Sequence, residues 1–445
     1  MENFFKRILA LFLGVLFFGI SKAQNTPSAS LIFENVNVFD GRTDRLIPNQ
    51  YVLIEGNKIT SISSTSLSPS DKTTVIQAAG KTLMPGLIDV HVHLIYGSLS
   101  MVELMSPGLN EKAMMEKASY QAEKMLLRGF TAVRDVGGPI FFLKSAIDKG
   151  EVLGPRIWPS GATISQTSGH GDQRMPDEKS RRFFGTPARA ELLNSTFIAD
   201  GRDEVLTAVR ENLRYGASQI KVMAGGGTSS AYDPVDVTQY TLDEMKAAVE
   251  AADDWGTYVT VHAYNPKSVR RAIEAGVKCI EHGQLLDEKT LRLMKKKGIW
   301  LSCQNLEESS PTMDPLRREK REPVIQGQKM IWPMAKKLKV KMAWGTDFLF
   351  NPALNEEQNE YILKLTTWFS PYEILKMITH DNAQLLSLSG LRGPYQGVLG
   401  VIEPGAFADL ILVDGNPLDN INLIAQPEEK FVVIVKDGKV VKNSL

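Results

Sequence analysis

The chain has 445 residues, too many for one small domain and enough for a barrel of about 250–350 residues with an accessory domain. Apolar residues make up 43% and charged residues 23%, the balance of a globular chain that can bury a sizeable core. Fifty-one basic residues face 51 acidic ones, which excludes the basic surplus of a nucleic-acid-binding protein. Two basic runs, Lys295-Lys296-Lys297 and Arg317-Arg318-Glu319-Lys320-Arg321, read as a helix end and a solvated face.

The first stretch stands apart from the fold. Lys6 and Arg7 precede an uncharged apolar run from Ile8 to Ile20, and Ser21-Lys22-Ala23 offers small residues at the positions a signal peptidase needs. Residues 1–23 therefore read as a signal peptide, with Gln24 as the mature start. The run falls short of the ~20 residues that span a bilayer, and no Cys follows it to carry a lipid. The expectation is an exported protein, periplasmic or secreted, with no stable membrane association once processed. Cys279 and Cys303 lie on successive predicted strands and lack zinc-site spacing, and their pairing stays open.

From Leu31 the chain is β-rich. Leu31–Phe39 ends at the Asp40-Gly41 turn, Tyr51–Glu55 ends at Gly56-Asn57, and Lys58–Ile62 alternates. The far end matches in style, with Asp409–Val413, Phe431–Val435 and Lys439–Val441. Residues 24–84 and 391–445 are thus expected to form one small β-sandwich, with residues 85–390 inserted as a separate domain.

In the insert, short apolar strands alternate with helices, the rhythm of a parallel sheet. Eight strands are predicted: Leu87–Leu94, Ala132–Val136, Arg156–Ser160, Gln219–Met223, Tyr258–His262, Cys279–His282, Trp300–Gln304 and Lys341–Thr346. Helices are predicted at Glu111–Arg128, Asp203–Tyr215, Leu242–Asp254, Pro266–Ala275 and Asp287–Lys297, each followed by a glycine suited to a C-cap. The fold class is α/β, a (β/α)8 TIM-like barrel. The connection from Gly161 to about Asp200 is long and loop-like, as functional loops often are.

The ionisable residues fall at the C-terminal ends of these strands, where such barrels carry their chemistry. His91 and His93 share one face of the first strand and can chelate a divalent ion. Lys221 interrupts an apolar strand, His262 and His282 end two more, and Asp347 ends the last. Taken singly, each has an ordinary structural alternative: a satisfied polar pair, a snorkelling lysine, buried histidines, a helix N-cap. Their joint placement at the ends of strands one, four, five, six and eight is what points to a metal site.

Met84-Pro85-Gly86-Leu87-Ile88-Asp89-Val90-His91-Val92-His93 resembles the opening motif of the amidohydrolase superfamily. Lys221, His262, His282 and Gly345-Thr346-Asp347 follow in that family's order, and Pro404–Leu410 resembles its returning β-sandwich segment. Val133-Arg134-Asp135-Val136-Gly137, Ser168-Gly169-His170-Gly171-Asp172 and Lys221 are similar to the imidazolonepropionase-related branch, which includes Xaa-Pro dipeptidases and ochratoxin-hydrolysing carboxypeptidases. True imidazolonepropionases lack the bridging lysine, which disfavours that activity.

The resemblance implies two divalent ions, zinc by preference of nitrogen and oxygen ligands. His91, His93 and Asp347 would hold one, His262 and His282 the other, with Lys221 carboxylated by CO2 between them. It implies cleavage of an amide bond by a metal-bridging hydroxide, with Asp347 as base then acid and His170 stabilising the oxyanion. Tyr264, two residues after His262, would bind a substrate carboxylate together with His170. Arg134 is expected to pair with Asp135 or a nearby loop, and His380 is not expected to be a ligand. The substrate is expected to be a dipeptide or N-acyl amino acid. A cyclic-amide or lactone hydrolase and an inactive binding protein are the rival readings. Oligomeric state is open, a homo-oligomer being compatible with the chain.

Overall fold

The computed structural model describes residues 30–445 except 69–70, 107, 231 and 312. The expected signal segment lies outside the described residues. Among the described residues, no helix is long and apolar enough to cross a membrane.

Both ends of the chain enter one eight-stranded sheet. Its strands are β1 (Ser30–Val38), β2 (Ile47–Glu55), β3 (Lys58–Ser63), β4 (Thr73–Gln77) and β5 (Thr82–Pro85) from the N-terminal part. The C-terminal part adds three more, which in chain order follow ten strands of the middle and are β16 (Leu410–Val413), β17 (Phe431–Lys436) and β18 (Lys439–Asn443). The order is β18-β17-β16-β5-β1-β2-β3, with β4 paired to β1. The join is the antiparallel pair β5–β16, where Met84 faces Ile411 and Leu83 faces Leu412. Apolar residues of both ends, among them Phe33, Val52, Ile54, Leu83, Leu410 and Val433, share one buried cluster.

The middle consists of two parallel sheets. The smaller is β6 (Leu87–Val92), β7 (Phe130–Asp135) and β8 (Arg156–Pro159). The larger runs β10-β9-β11-β12-β13-β14-β15, with β9 (Thr163–Ser165), β10 (Thr196–Ile198), β11 (Ile220–Met223), β12 (Val259–Ala263), β13 (Cys279–His282), β14 (Trp300–Cys303) and β15 (Lys341–Trp344). All eight predicted strands are present. The expected loop after Gly161 also holds β9 and β10, whose three-residue length hides them from any periodicity argument. Gly161, at φ 75°, turns the chain between β8, which pairs with β7, and β9, which pairs with β11. A Cβ there would stand 2.5 Å from the Asn212 carboxamide oxygen, so the turn needs glycine.

Hydrogen bonds cross both gaps between these sheets. Ser218 N donates to the Pro159 carbonyl at 2.7 Å, linking β8 to the approach of β11. On the other side Asp347 N donates to the His91 carbonyl at 2.8 Å, linking the end of β15 to β6. Gly345 permits that approach, since a Cβ would meet the His91 nitrogen at 2.4 Å.

The helices between strands are locally encoded. Thr241 and Glu244 form a capping box at the start of Leu242–Asp254. Asn265 caps Pro266–Ala275, which opens on a proline where no N–H is needed. Asp287 caps Glu288–Lys297, whose last turn carries Lys295, Lys296 and Lys297 against the negative end of the helix dipole. That basic run is a helix end, as expected. The helices bury alanine- and leucine-rich faces against the strands, and this apolar layer is the largest core of the molecule.

Cys279 and Cys303 are both buried and free. Cys279 opens β13 opposite Trp300, while Cys303 closes β14 opposite Trp344.

Candidate active site

The strand ends of the middle domain converge on one cavity of about 560 Å3. Its lining includes His91, His93, His170, Lys221, His262, Tyr264, His282 and Asp347, so every residue singled out as catalytic, substrate-binding or metal-ligating reaches it. Strand register explains the convergence. Lys221 stands beside Thr260, Met223 beside His262, and Ala263 beside His282 in adjacent parallel strands.

Two of the histidines have their tautomers set by neighbours. His91 Nδ1 lies 2.8 Å from Glu281 Oε2, and His93 Nδ1 lies 3.0 Å from the Gly137 carbonyl. Each Nδ1 therefore carries the proton, and each Nε2 presents a lone pair. Both lone pairs point at the same Asp347 oxygen, from 3.2 Å and 3.3 Å. Three acceptors converge with no proton between them, and His91 Nε2 is buried without a hydrogen bond. A cation satisfies such a set; His91, His93 and Asp347 lie close enough together to share one.

The second pair follows the same logic. His262 Nε2 lies 3.1 Å from the Gly226 carbonyl, which leaves Nδ1 to face its neighbours. The His262 and His282 rings meet at 4.3 Å between centroids, nearly edge to face. Burial holds both imidazoles well below their ordinary pKa, with the nearby His170 adding to the effect at His262, so both are neutral donors of electron pairs.

Lys221 is fully buried, and among the described residues no hydrogen bond or ion pair reaches its amine. Desolvation lowers its pKa, against the pull of Glu281 and Asp347. An unpaired ammonium in such a place is costly, whereas a neutral amine is a nucleophile.

Glu281 was missed by sequence reasoning, because strict alternation sends it to the face opposite His282. The structure buries both inward: His282 adopts φ 78°, a left-handed conformation that re-aims its ring at the strand end. Asp347 does the same at φ 57°. The expected pairing of Arg134 with Asp135 or a nearby loop does not form; its Nη2 donates to Glu281 Oε1 at 2.6 Å and its Nε to the Val90 carbonyl at 2.6 Å. Asp135 instead receives the Leu94 and Gly137 amides, and burial pushes its carboxyl up to about 7. Asp89 of the opening motif ties β6 to β15 by accepting Thr346 Oγ1 at 2.7 Å.

His170 stacks on His262 with centroids 4.0 Å apart and planes 18° off parallel. Its Nδ1 lies 3.1 Å from Asp233, a buried carboxylate that also accepts the Gly227 amide at 2.8 Å. Gly227 makes room for the ring, since a Cβ would sit 1.9 Å from His170 Cε1. Tyr264 is buried beside both His262 and His282, at 5.1 Å from each ring. His380 lies outside the site, 2.8 Å from Asp381 in a π-turn of the chain.

The amidohydrolase family model matches residues 82–442. The chain is 31% identical over 387 residues to an ochratoxinase of Aspergillus niger, across 81% of this chain and 76% of that protein. It is similar to a solved prolidase complexed with N-methylphosphonate-L-proline, at 32% identity and TM-score 0.84, covering 93% of this chain and all of the other. A solved Xaa-Pro dipeptidase with methionine bound in its active site is 28% identical, with TM-score 0.77 and the same coverage. With its motif order, its cavity and these relatives in agreement, the chain belongs to the amidohydrolase family and is a hydrolase of carbon–nitrogen bonds.

Proposed function

We propose that this chain hydrolyses the amide bond of a small exported-compartment substrate, a dipeptide or an N-acyl amino acid, at a two-metal centre. In this reading the two parallel sheets close into one (β/α)8 barrel, and the terminal sheet folds over as its β-sandwich. His91, His93 and Asp347 would hold one divalent ion and His262 with His282 the other, zinc being the natural choice for these donors. The observation that carries the reading is the buried Lys221 side chain, which lines the cavity with no hydrogen bond or ion pair among the described residues. Its neutral lone pair can add to the carbon of CO2 with loss of one N–H proton to solvent. Such a carbamate would be an anionic oxygen ligand, and would turn the costly residue into a needed one.

When bound, such ions supply Lewis acidity and a lowered water pKa. The chain's own residues do the rest. Asp347, 23% exposed toward the cavity, accepts the proton of the attacking water and returns one to the leaving amine. His170, braced by Asp233 and stacked on His262, faces the developing oxyanion. Tyr264 receives a polar end of the substrate. The prolidase, dipeptidase and ochratoxinase likenesses support an amide substrate. The leader composition of residues 1–23 supports an exported enzyme.

The test is metal analysis joined to a substrate screen. Protein prepared with zinc and bicarbonate is expected to hold about two ions per chain and to hydrolyse members of a dipeptide and N-acyl amino acid library. Lys221→Ala is expected to lose the second ion and the activity. Unchanged metal content and turnover in that variant, or no turnover across the library by the wild type, would sink the proposal.

A further inference from the structure

The connection between β9 and β10 carries two aromatic rings that the fold leaves uncovered. Phe183 is 80% exposed and Phe184 60%, and Leu192 further along the same connection is 67% exposed. At these exposures the two rings alone leave on the order of 300 Å2 of apolar surface in water. Single exposed apolar residues are ordinary, but an aromatic patch of that size marks a contact site.

The rings are turned outward by the residues before them. Phe183 and Phe184 close the short helix Arg181–Phe184, and residues two apart on a helix point about 200° away from one another. Arg181 and Arg182 hold the inner side. Arg181 Nη2 donates to the Ile198 carbonyl of the edge strand β10 at 3.1 Å, and Arg182 Nη1 donates to Glu204 at 2.7 Å. Gly185, at φ 77°, then ends the helix.

Beside this helix lies a groove of the opposite shape. β10 and the helix Arg202–Tyr215 border about 280 Å3 between Phe197, Ile198, Ala199, Thr207 and Ala208. A cavity of about 150 Å3 already takes a benzene ring, so the groove has room for an aromatic side chain. Its rim is acidic, from Asp203, Glu204 and Glu211, with Arg181 at one edge. The flank of the protrusion is basic: the Lys179 ammonium lies 4.7 Å from the centre of the Phe184 ring, and Arg181 and Arg182 precede the two phenylalanines. A basic aromatic protrusion and an acid-rimmed apolar groove thus lie side by side on one chain.

We propose that this face pairs two copies of the chain about a twofold axis, each inserting Phe183 and Phe184 into the groove of the other between β10 and the helix Arg202–Tyr215. Such a contact uses the same surface on both copies and closes at two. Four rings would place on the order of 600 Å2 of aromatic surface at the centre of an interface whose standard size is about 1,600 Å2. The acidic rim favours a second copy over an anionic lipid surface, since it repels anionic headgroups and meets the basic flank of the protrusion. The proposal is independent of the amide-hydrolase reading above.

Sedimentation equilibrium on the zinc-loaded protein tests it. Wild type is expected to be dimeric at micromolar concentration. Phe183→Ser combined with Phe184→Ser is expected to raise the dimer dissociation constant by about 100-fold or more, as the loss of central aromatic anchors does. Thr207→Arg lays a long side chain in the groove and is expected to weaken the dimer from the other half of the contact. An equal mixture of these two variants keeps one protrusion and one groove across the contact, and is expected to associate more tightly than either variant alone. Wild type that stays monomeric up to about 100 µM overturns the proposal. Monomeric wild type that binds phosphatidylglycerol vesicles overturns it in favour of a lipid surface. Variants that associate as tightly as wild type overturn it by placing self-association on another face.

Discussion

Glu281 joins His91 to Arg134: one carboxylate oxygen lies 2.8 Å from His91 Nδ1 and the other accepts Arg134 Nη2 at 2.6 Å. All three side chains are buried, and Thr260 donates to the same carboxylate. The charge pair is therefore both a structural element of the interior and the group that aims a candidate ligand. Glu281→Gln keeps the shape but gives up the charge. It is expected to weaken zinc binding by about 10- to 100-fold, read by competition with a chelator. It should also cost about 3–5 kcal/mol in denaturant unfolding, because Arg134 is left without its counter-ion. Zinc affinity equal to wild type would show that His91 does not depend on Glu281 for its orientation.

Lys221 poses the opposite balance. Its side chain is buried, and the desolvation that lowers its pKa works against folding. Lys221→Met fills the same space with apolar atoms. The metal-free variant is expected to melt above metal-free wild type by about 1 °C for each kcal/mol gained, while having no hydrolytic activity. Differential scanning calorimetry after exhaustive chelation measures the first, and the substrate screen the second. A lower melting temperature in the variant would mean that the amine has a stabilising partner in the folded state.

Much of this site can be read from the sequence, and the reason is geometric. Parallel strands all end on the same side, so ligand-type residues at strand ends must meet whatever the loops do. His91, His262 and Asp347 follow from that rule, while Lys221 alone reads equally as a snorkelling lysine and needs the family's motif order beside it. Helix ends were equally legible, since Asn265, Asp287 and the glycines after the helices are local signals; Gly276, at φ 107°, closes its helix as expected. Glu281 was hidden because a positive φ at His282 breaks the alternation on which the reading depends. Arg134 was legible as structural but not in its partner, which lies 147 residues away. The run Arg317–Arg321 reads as a solvated face because charge runs usually are, and only the packing of its helix, Pro315–Leu338, against residues 229–230 turns Arg317 and Lys320 inward.

His170 depends on a partner that sequence spacing does not reveal. Asp233 holds its Nδ1 at 3.1 Å and is itself fixed by Gly227, Ser230 and, at 3.9 Å, Lys320. His170→Ala is expected to lower kcat by about 100- to 1000-fold, as the loss of one oxyanion donor does. Asp233→Asn should act in the same direction but less, with KM little changed, because the ring is present and loosely aimed. Steady-state kinetics on one N-acyl amino acid distinguishes the two. If Asp233→Asn raised KM alone, Asp233 would belong to substrate binding and not to the positioning of His170.

The terminal sheet is fastened to the middle domain by Arg156 at the start of β8. Its Nε donates to Asp409 at 2.7 Å and its Nη2 donates to Asp437, two carboxylates from the C-terminal part of the chain. Burial pushes the Asp437 carboxyl up, but Arg156 and a hydrogen bond from Asn57 outweigh it, and the pKa lies below the ordinary value. The folded pKa is depressed, so the contribution is present above the unfolded value near pH 4 and is lost as pH falls below it. Asp437 is 37% exposed, which limits its share to about 1 kcal/mol or less. Asp437→Asn is therefore expected to flatten the acid limb of stability below pH 4, with little effect at pH 7. Arg156→Met should cost more, about 3–5 kcal/mol at pH 7, because Asp409 is then buried without its counter-charge. Denaturant unfolding at pH 7 and pH 3 measures both. An acid limb as steep in Asp437→Asn as in wild type would show that this carboxylate does not carry the pH dependence of the junction.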